Sequence, residues 1–178
     1  STTETQGTTV PAPSATSTDT PTSTATPRDA QAGAVINEVL AQPAADWNGD
    51  GTIDTGDQAI ELVGTGTGTT SLAGWQIVAG AGQRFTLPRG FAVASGELRV
   101  LFANQTGVTL RPGGGDVRLL DAAGNLVADA VYPATHAGMS WARLPDGVGS
   151  WQGLPSSPGA PNARAAPTPT AITPPTPT

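Results

Sequence analysis

The sequence of 178 residues contains no cysteine and no lysine. Without cysteine there are no disulfides, no thiolate zinc sites and no cysteine nucleophile. All eight basic residues are arginines, set against 14 acids, for a net charge of −6. That balance excludes the basic footprint of a nucleic-acid binder. Aromatic residues are scarce, at 4%, and there is a single histidine. No apolar run approaches the roughly 18 residues that a membrane-spanning helix needs, so membrane insertion is not expected. No signal peptide is visible in the chain. Glycine and proline are plentiful, with 23 and 17 residues, which argues against a helix bundle.

The scarcity of apolar residues is uneven, and that sets the domain plan. Residues 1–32 hold 11 Thr, 4 Ser and 4 Pro, with Val10 as their only large apolar side chain. Residues 163–178 alternate Pro and Thr around Ile172. Such segments bury too little to offset an ordering entropy of roughly 1–2 kcal/mol per residue. Both are expected to be disordered linkers, either plain spacers or O-glycosylated stalks. Residues 33–162 carry 36 of the 38 large apolar residues and form one domain of ordinary size.

Within that domain the apolar period is two. Strands are predicted near Ala34–Ala41, Ala59–Gly64, Leu72–Ala79, Arg84–Leu87, Glu97–Phe102, Asp116–Leu120, Leu126–Tyr132 and Ser140–Leu144, with a last piece around Trp151. Asp121-Ala122-Ala123-Gly124-Asn125 reads as a hairpin loop with positive φ at Gly124 or Asn125. No stretch shows a helical stripe. Eight or nine short strands split by turn residues predict an all-β fold, an antiparallel β-sandwich of immunoglobulin type. Gly64-Thr65-Gly66-Thr67-Gly68-Thr69-Thr70 has neither a lysine nor a following helix, so it is no phosphate cradle. It and Gly113-Gly114-Gly115 read as flexible turns.

The most informative stretch runs from Asp46 to Asp57 and matches the D-x-[DN]-x-[DN]-G calcium loop. Calcium takes six to eight oxygens, which alternate side chains on a tightly curling loop can supply. Asp46, Asn48 and Asp50 are candidate ligands, with the backbone carbonyl of Thr52, with Asp54 directly or through water, and with Asp57 closing the loop. Gly51 permits the turn. Ile53 is expected to anchor the loop on the core, and Trp47 to point outward. The core's net charge of −5 falls to −1 without the four loop aspartates. Carboxylates so concentrated repel one another unless a cation or solvent separates them. Asp-Gly and Asn-Gly are also ordinary turn dipeptides, so a solvated turn that binds nothing is the competing reading. Magnesium and zinc fit the residue set less well than calcium.

With Asp at its last position the loop resembles those of dockerins, but it lacks their second copy. It also lacks the flanking helices of an EF-hand, because Pro43 precedes it and Ala59-Ile60-Glu61-Leu62-Val63 follows as a strand. The wider order of motifs resembles a bacterial lamin-tail domain. Val35-Ile36-Asn37-Glu38-Val39 opens it, and Ile60-Glu61-Leu62-Val63 and Leu72-Ala73-Gly74-Trp75 follow. Ser140-Trp141-Ala142-Arg143-Leu144-Pro145-Asp146-Gly147 and Ser157-Pro158-Gly159-Ala160-Pro161-Asn162 close it. The resemblance implies an immunoglobulin-like sandwich in a secreted or cell-surface protein, with an interaction or tethering role and no catalysis. Chromatin contact is not carried over, for want of basic surface.

Other chemistry is weaker. His136 lacks a nucleophile elbow and reads as a surface loop residue. Asp116, Asp121 and Asp129 could pair with Glu61 or Glu97 as hydrolytic carboxylates, but turn and surface roles account for them. Trp75 and Trp141 are expected as core anchors. Trp47 and Trp151 are candidates for stacking on a sugar. The sequence therefore predicts a calcium-stabilised module that binds an unknown protein or a surface glycan at an extracellular site.

Overall fold

A computed structural model describes residues 33–165; the two expected linkers, 1–32 and 163–178, lie outside the described residues apart from 163–165. Eleven strands follow in order: β1 Ala34–Leu40, β2 Ala59–Gly64, β3 Thr70–Ser71, β4 Gln76–Ala79, β5 Gln83–Thr86, β6 Ala92–Val93, β7 Leu98–Phe102, β8 Gly114–Leu120, β9 Leu126–Pro133, β10 Met139–Leu144 and β11 Ser150–Pro155. A 3-10 turn, Thr55–Asp57, precedes β2, and one helical turn, α1 (Ala103–Thr106), follows β7. A five-stranded sheet runs β11-β10-β1-β2-β7 and a four-stranded sheet runs β5-β4-β8-β9. All pairings are antiparallel, and β1 packs across the core onto β8 and β9.

The alternating pattern builds this core. Ile36 opposite Leu62 and Val39 opposite Ile60 present one face of the large sheet. Ile77, Val117, Leu119, Ala128 and Ala130 present the facing side of the small one, and all are buried. Trp75, Trp141 and Trp151 pack against this core while half-buried, as expected of the first two. Tyr132 caps it, its hydroxyl accepting the Arg111 N–H at 3.0 Å.

Two expectations need correction. Residues 72–75 turn instead of extending: Gly74 N–H bonds Leu87 O and Trp75 N–H bonds Leu72 O, so β4 begins only at Gln76. Of the Gly113–Gly115 stretch only Gly113 lies in a turn, since Gly114 and Gly115 pair with Pro133 and Tyr132 inside β8. Gly64 closes β2, as expected of the strand at Ala59–Gly64, and bonds both Glu97 and Gly96. A Cβ there would sit 1.9 Å from Ala94 O, so only glycine lets the strand approach that close. The Asp121 hairpin forms as expected, with Gly124 at φ 86° and the Asp121 carboxylate accepting from Ala123 and Asn125.

Candidate functional site

The acidic loop leaves the end of β1 and returns through the 3-10 turn into β2. Its curl is made by its own side chains. Asp46 Oδ1 accepts the N–H of Gly49 at 2.7 Å and of Asp50 at 3.2 Å, and Oδ2 accepts that of Gly51 at 2.8 Å. Asn48 Oδ1 accepts Asp50 N–H, Asp50 Oδ1 accepts Thr52 N–H, and Asp54 Oδ1 accepts Gly56 N–H. Gly49 and Gly51 sit at φ 77° and 91°, a region that L side chains rarely adopt.

Asp57 braces the loop from beneath. It is 0% exposed. Its Oδ1 accepts the N–H groups of Trp47 and Asn48, and its Oδ2 that of Asp54. Burial alone would raise its pKa, but these three backbone donors outweigh it and hold the carboxyl below its ordinary value. Gln58, which the sequence reading did not single out, pins the loop's base. Its amide donates to Ala41 O and Leu110 O and accepts from Leu110 N–H, all within 2.9 Å.

Asp46, Asp50, Thr52 and Asp54 are exposed, and Asn48 is half-buried. Asp50 Oδ2 and Asp54 Oδ2 accept no hydrogen bond among the described residues. The four aspartates are each turned to backbone donors, and among the described residues no three His, Asp or Glu side chains stand together as a metal cluster.

Two details reverse the sequence expectations. Ile53 is 58% exposed and anchors nothing; the loop is single, so it offers no second loop for Ile53 to pack on. Trp47 does not point freely outward. It is half-buried, its Nε1 is buried without a partner, and its backbone N–H is held by Asp57. Trp151 lies elsewhere, on the outer strand β11 opposite Arg143, whose guanidinium covers its ring at 4.9 Å. The fold therefore places the two candidate stacking residues on different elements, one in the loop beyond β1 and one on the edge of the sheet.

A second acidic group was missed by the sequence reading. Glu38 and Glu61 stand directly opposite each other on β1 and β2, next to a bulge at Asn37. Each is 1% exposed, and they face away from the sandwich core. The chain after β11 crosses over them. Ser157 donates its N–H and hydroxyl to Glu38, and Gly159 donates its N–H to Glu61 at 2.7 Å. Asn37 joins the group by donating to Glu61 and Asp146 while accepting from Gly147. Asn162 completes it by donating to Asp146 and to Arg143 O. Burial pushes Glu61 up to about 7, against the bonds from Asn37 and Gly159, and the charges of Glu38 and Asp146 push the same way. Glu38 is raised chiefly by the same burial. The motifs at 35–39, 60–63, 140–147 and 157–162 thus meet in one buried network.

The other candidates separate. Glu61 lies with Glu38 and Asp146, not with Asp116, Asp121 or Asp129, which sit on the other sheet. Glu97 pairs with Arg99 at 3.2 Å and Asp116 with Arg118 at 3.3 Å. Asp129 is exposed opposite Arg118, and His136 is exposed in its loop.

A family model, the Lamin Tail Domain, matches residues 27–134, whereas no curated protein matches the chain. The matched segment reaches β9, so β10, β11 and the crossing segment lie beyond it. Lamin tail domains are immunoglobulin-like interaction modules, non-catalytic in general. The antiparallel sandwich agrees with that match, which covers more than half of the sequence, and the chain belongs to the lamin tail domain family.

Proposed function

We propose that the domain is a non-enzymatic extracellular or cell-surface module, tethering a protein or glycan partner, whose acidic loop takes up one calcium ion. The observation that carries the calcium reading is the loop's arrangement. Its backbone is pre-curled by Asp46 and Asp57, while the exposed carboxylates of Asp50 and Asp54 each keep one oxygen without a hydrogen bond among the described residues. Asp46, Asn48, Asp50, Thr52, Asp54 and Asp57 would supply oxygen ligands, a hard donor set of the kind calcium prefers. Binding requires the Asp50 and Asp54 side chains to turn inward on a backbone already held.

The ion would act by linkage, since it binds the folded loop and not the unfolded chain. Stability then rises by about 2.7 kcal/mol at a hundredfold excess over Kd. An extracellular module working at ~0.1–1 mM calcium needs no tighter site. Thermal melts with calcium and then with excess chelator test this reading. The midpoint is expected to rise with calcium, to fall back with chelator, and to ignore calcium in Asp50→Ala/Asp54→Ala. A wild-type midpoint unmoved by millimolar calcium would overturn it.

A further inference from the structure

The segment from Ser156 to Asn162 forms no strand, yet it covers the outer face of the five-stranded sheet. Ser156 bonds Gly138 O and Asn162 bonds Arg143 O, and three carboxyl groups supply the rest of the segment's grip. Ser157 holds Glu38, Gly159 holds Glu61 and Asn162 holds Asp146. We propose that this segment is a proton-gated strap, which ionisation of the buried Glu38–Glu61 pair, beside the half-buried Asp146, loosens while the sandwich beneath stays folded.

The surroundings of Glu61 define the gate. From β1 it faces Glu38 and Asn37, and from the β10–β11 turn Asp146. On β7 it meets Val100, whose neighbour Arg99 is turned to Glu97 and the Phe91 ring. Arg143 on β10 gives its Nε to Ile36 O and lays its guanidinium over Trp151. The strap itself contributes only neutral donors. With one carboxyl protonated, the like charges are reduced and the strap stays seated. With both glutamates ionised, two buried negative charges stand side by side in a site of low dielectric, and lifting the strap returns them to water. Glu61, pushed up to about 7 by burial, places the change near neutral pH. The strap also fixes where residues 163–165 leave the body, beside Asp146, so its release shifts the chain's point of exit.

Amide hydrogen exchange on the wild-type protein at pH 5 and pH 8, corrected for the intrinsic pH dependence of exchange, tests the proposal. The protection of the Ser157 and Gly159 amides is expected to fall at least roughly tenfold, as loss of one proton on opening requires. At pH 8 those amides should exchange at least about a hundredfold faster than the amides of β4 and β8, which open only with the whole domain. Glu61→Gln should flatten the pH dependence of the strap. Equal strap protection at both pH values overturns the proposal. So does exchange of the strap and of β4 and β8 at one common rate, or an undiminished pH dependence in Glu61→Gln. If that variant does not fold, the wild-type comparison alone decides.

Discussion

In the loop at 46–57, aspartates take their hydrogen bonds from amides no more than ten residues away, as in Trp47 to Asp57. Beneath the strap, Glu38 is held by Ser157, 119 residues distant in sequence, and Glu61 by Gly159, 98 residues distant. Four of the loop's candidate ligands are exposed and only Asp57 is buried, whereas both glutamates are sealed. The loop's bonds are local, so much of its shape is written in consecutive residues. The second group exists only once β1, β2, the β10–β11 turn and the strap have come together. Solvent screens charge repulsion in the loop. In the buried group it must be met by protonation and by donors from distant segments.

This contrast is broken most severely at Asn37. Asn37→Ala removes the donor to Glu61 and Asp146 and the acceptor for Gly147 N–H, leaving several buried polar groups unsatisfied. A loss of about 3–5 kcal/mol is expected in urea denaturation. Next in size is the effect of pH. The folded pKa of Glu61, about 7, lies above its ordinary value of 4.5. Its contribution is therefore complete below pH 4.5 and is lost as pH rises through 7. Urea titrations from pH 4.5 to 8 should show stability falling by up to about 3 kcal/mol, a trend that Glu61→Gln flattens. The loop supplies the smaller effects. Asp57→Ala orphans three backbone donors and should cost about 2–3 kcal/mol. Without calcium, Asp50→Ala on the exposed rim should cost less than about 1 kcal/mol. Equal losses at Asp57 and Asp50 in calcium-free buffer would show that the brace is no stronger than the rim.

What the sequence made legible follows the same division. The alternation in Ala59–Gly64 and Leu126–Tyr132 located β2 and β9 nearly to the residue, because one face of each is apolar. The aspartates of the loop were visible through their spacing with Gly51, and so was the turn at Asp121. The two-residue strands β3 and β6 carry no readable period. Glu38 and Glu61 occupy the outward phase of their strands, so alternation alone assigns them to solvent. Only the strap, whose position depends on contacts made across the whole domain, turns that outer face into an interior. The motifs 35–39 and 157–162 were recognisable as a pattern, but their purpose was not: the bulge at Asn37 and the reach of Asn162 are properties of the assembled sheet. Ile53 and Trp47 were misplaced for a related reason. The loop resembles those that work in pairs, and this one is built alone.

The distinction between an accessible acidic loop and a sealed acidic group is tested most directly by two-dimensional amide NMR during a calcium chloride titration at pH 6. The account predicts saturable shifts of the Gly49, Gly51, Thr52 and Gly56 amides by millimolar calcium, with the Ser157 and Gly159 amides unmoved. Loop amides that stay in place throughout, or strap amides that shift together with them, would contradict it.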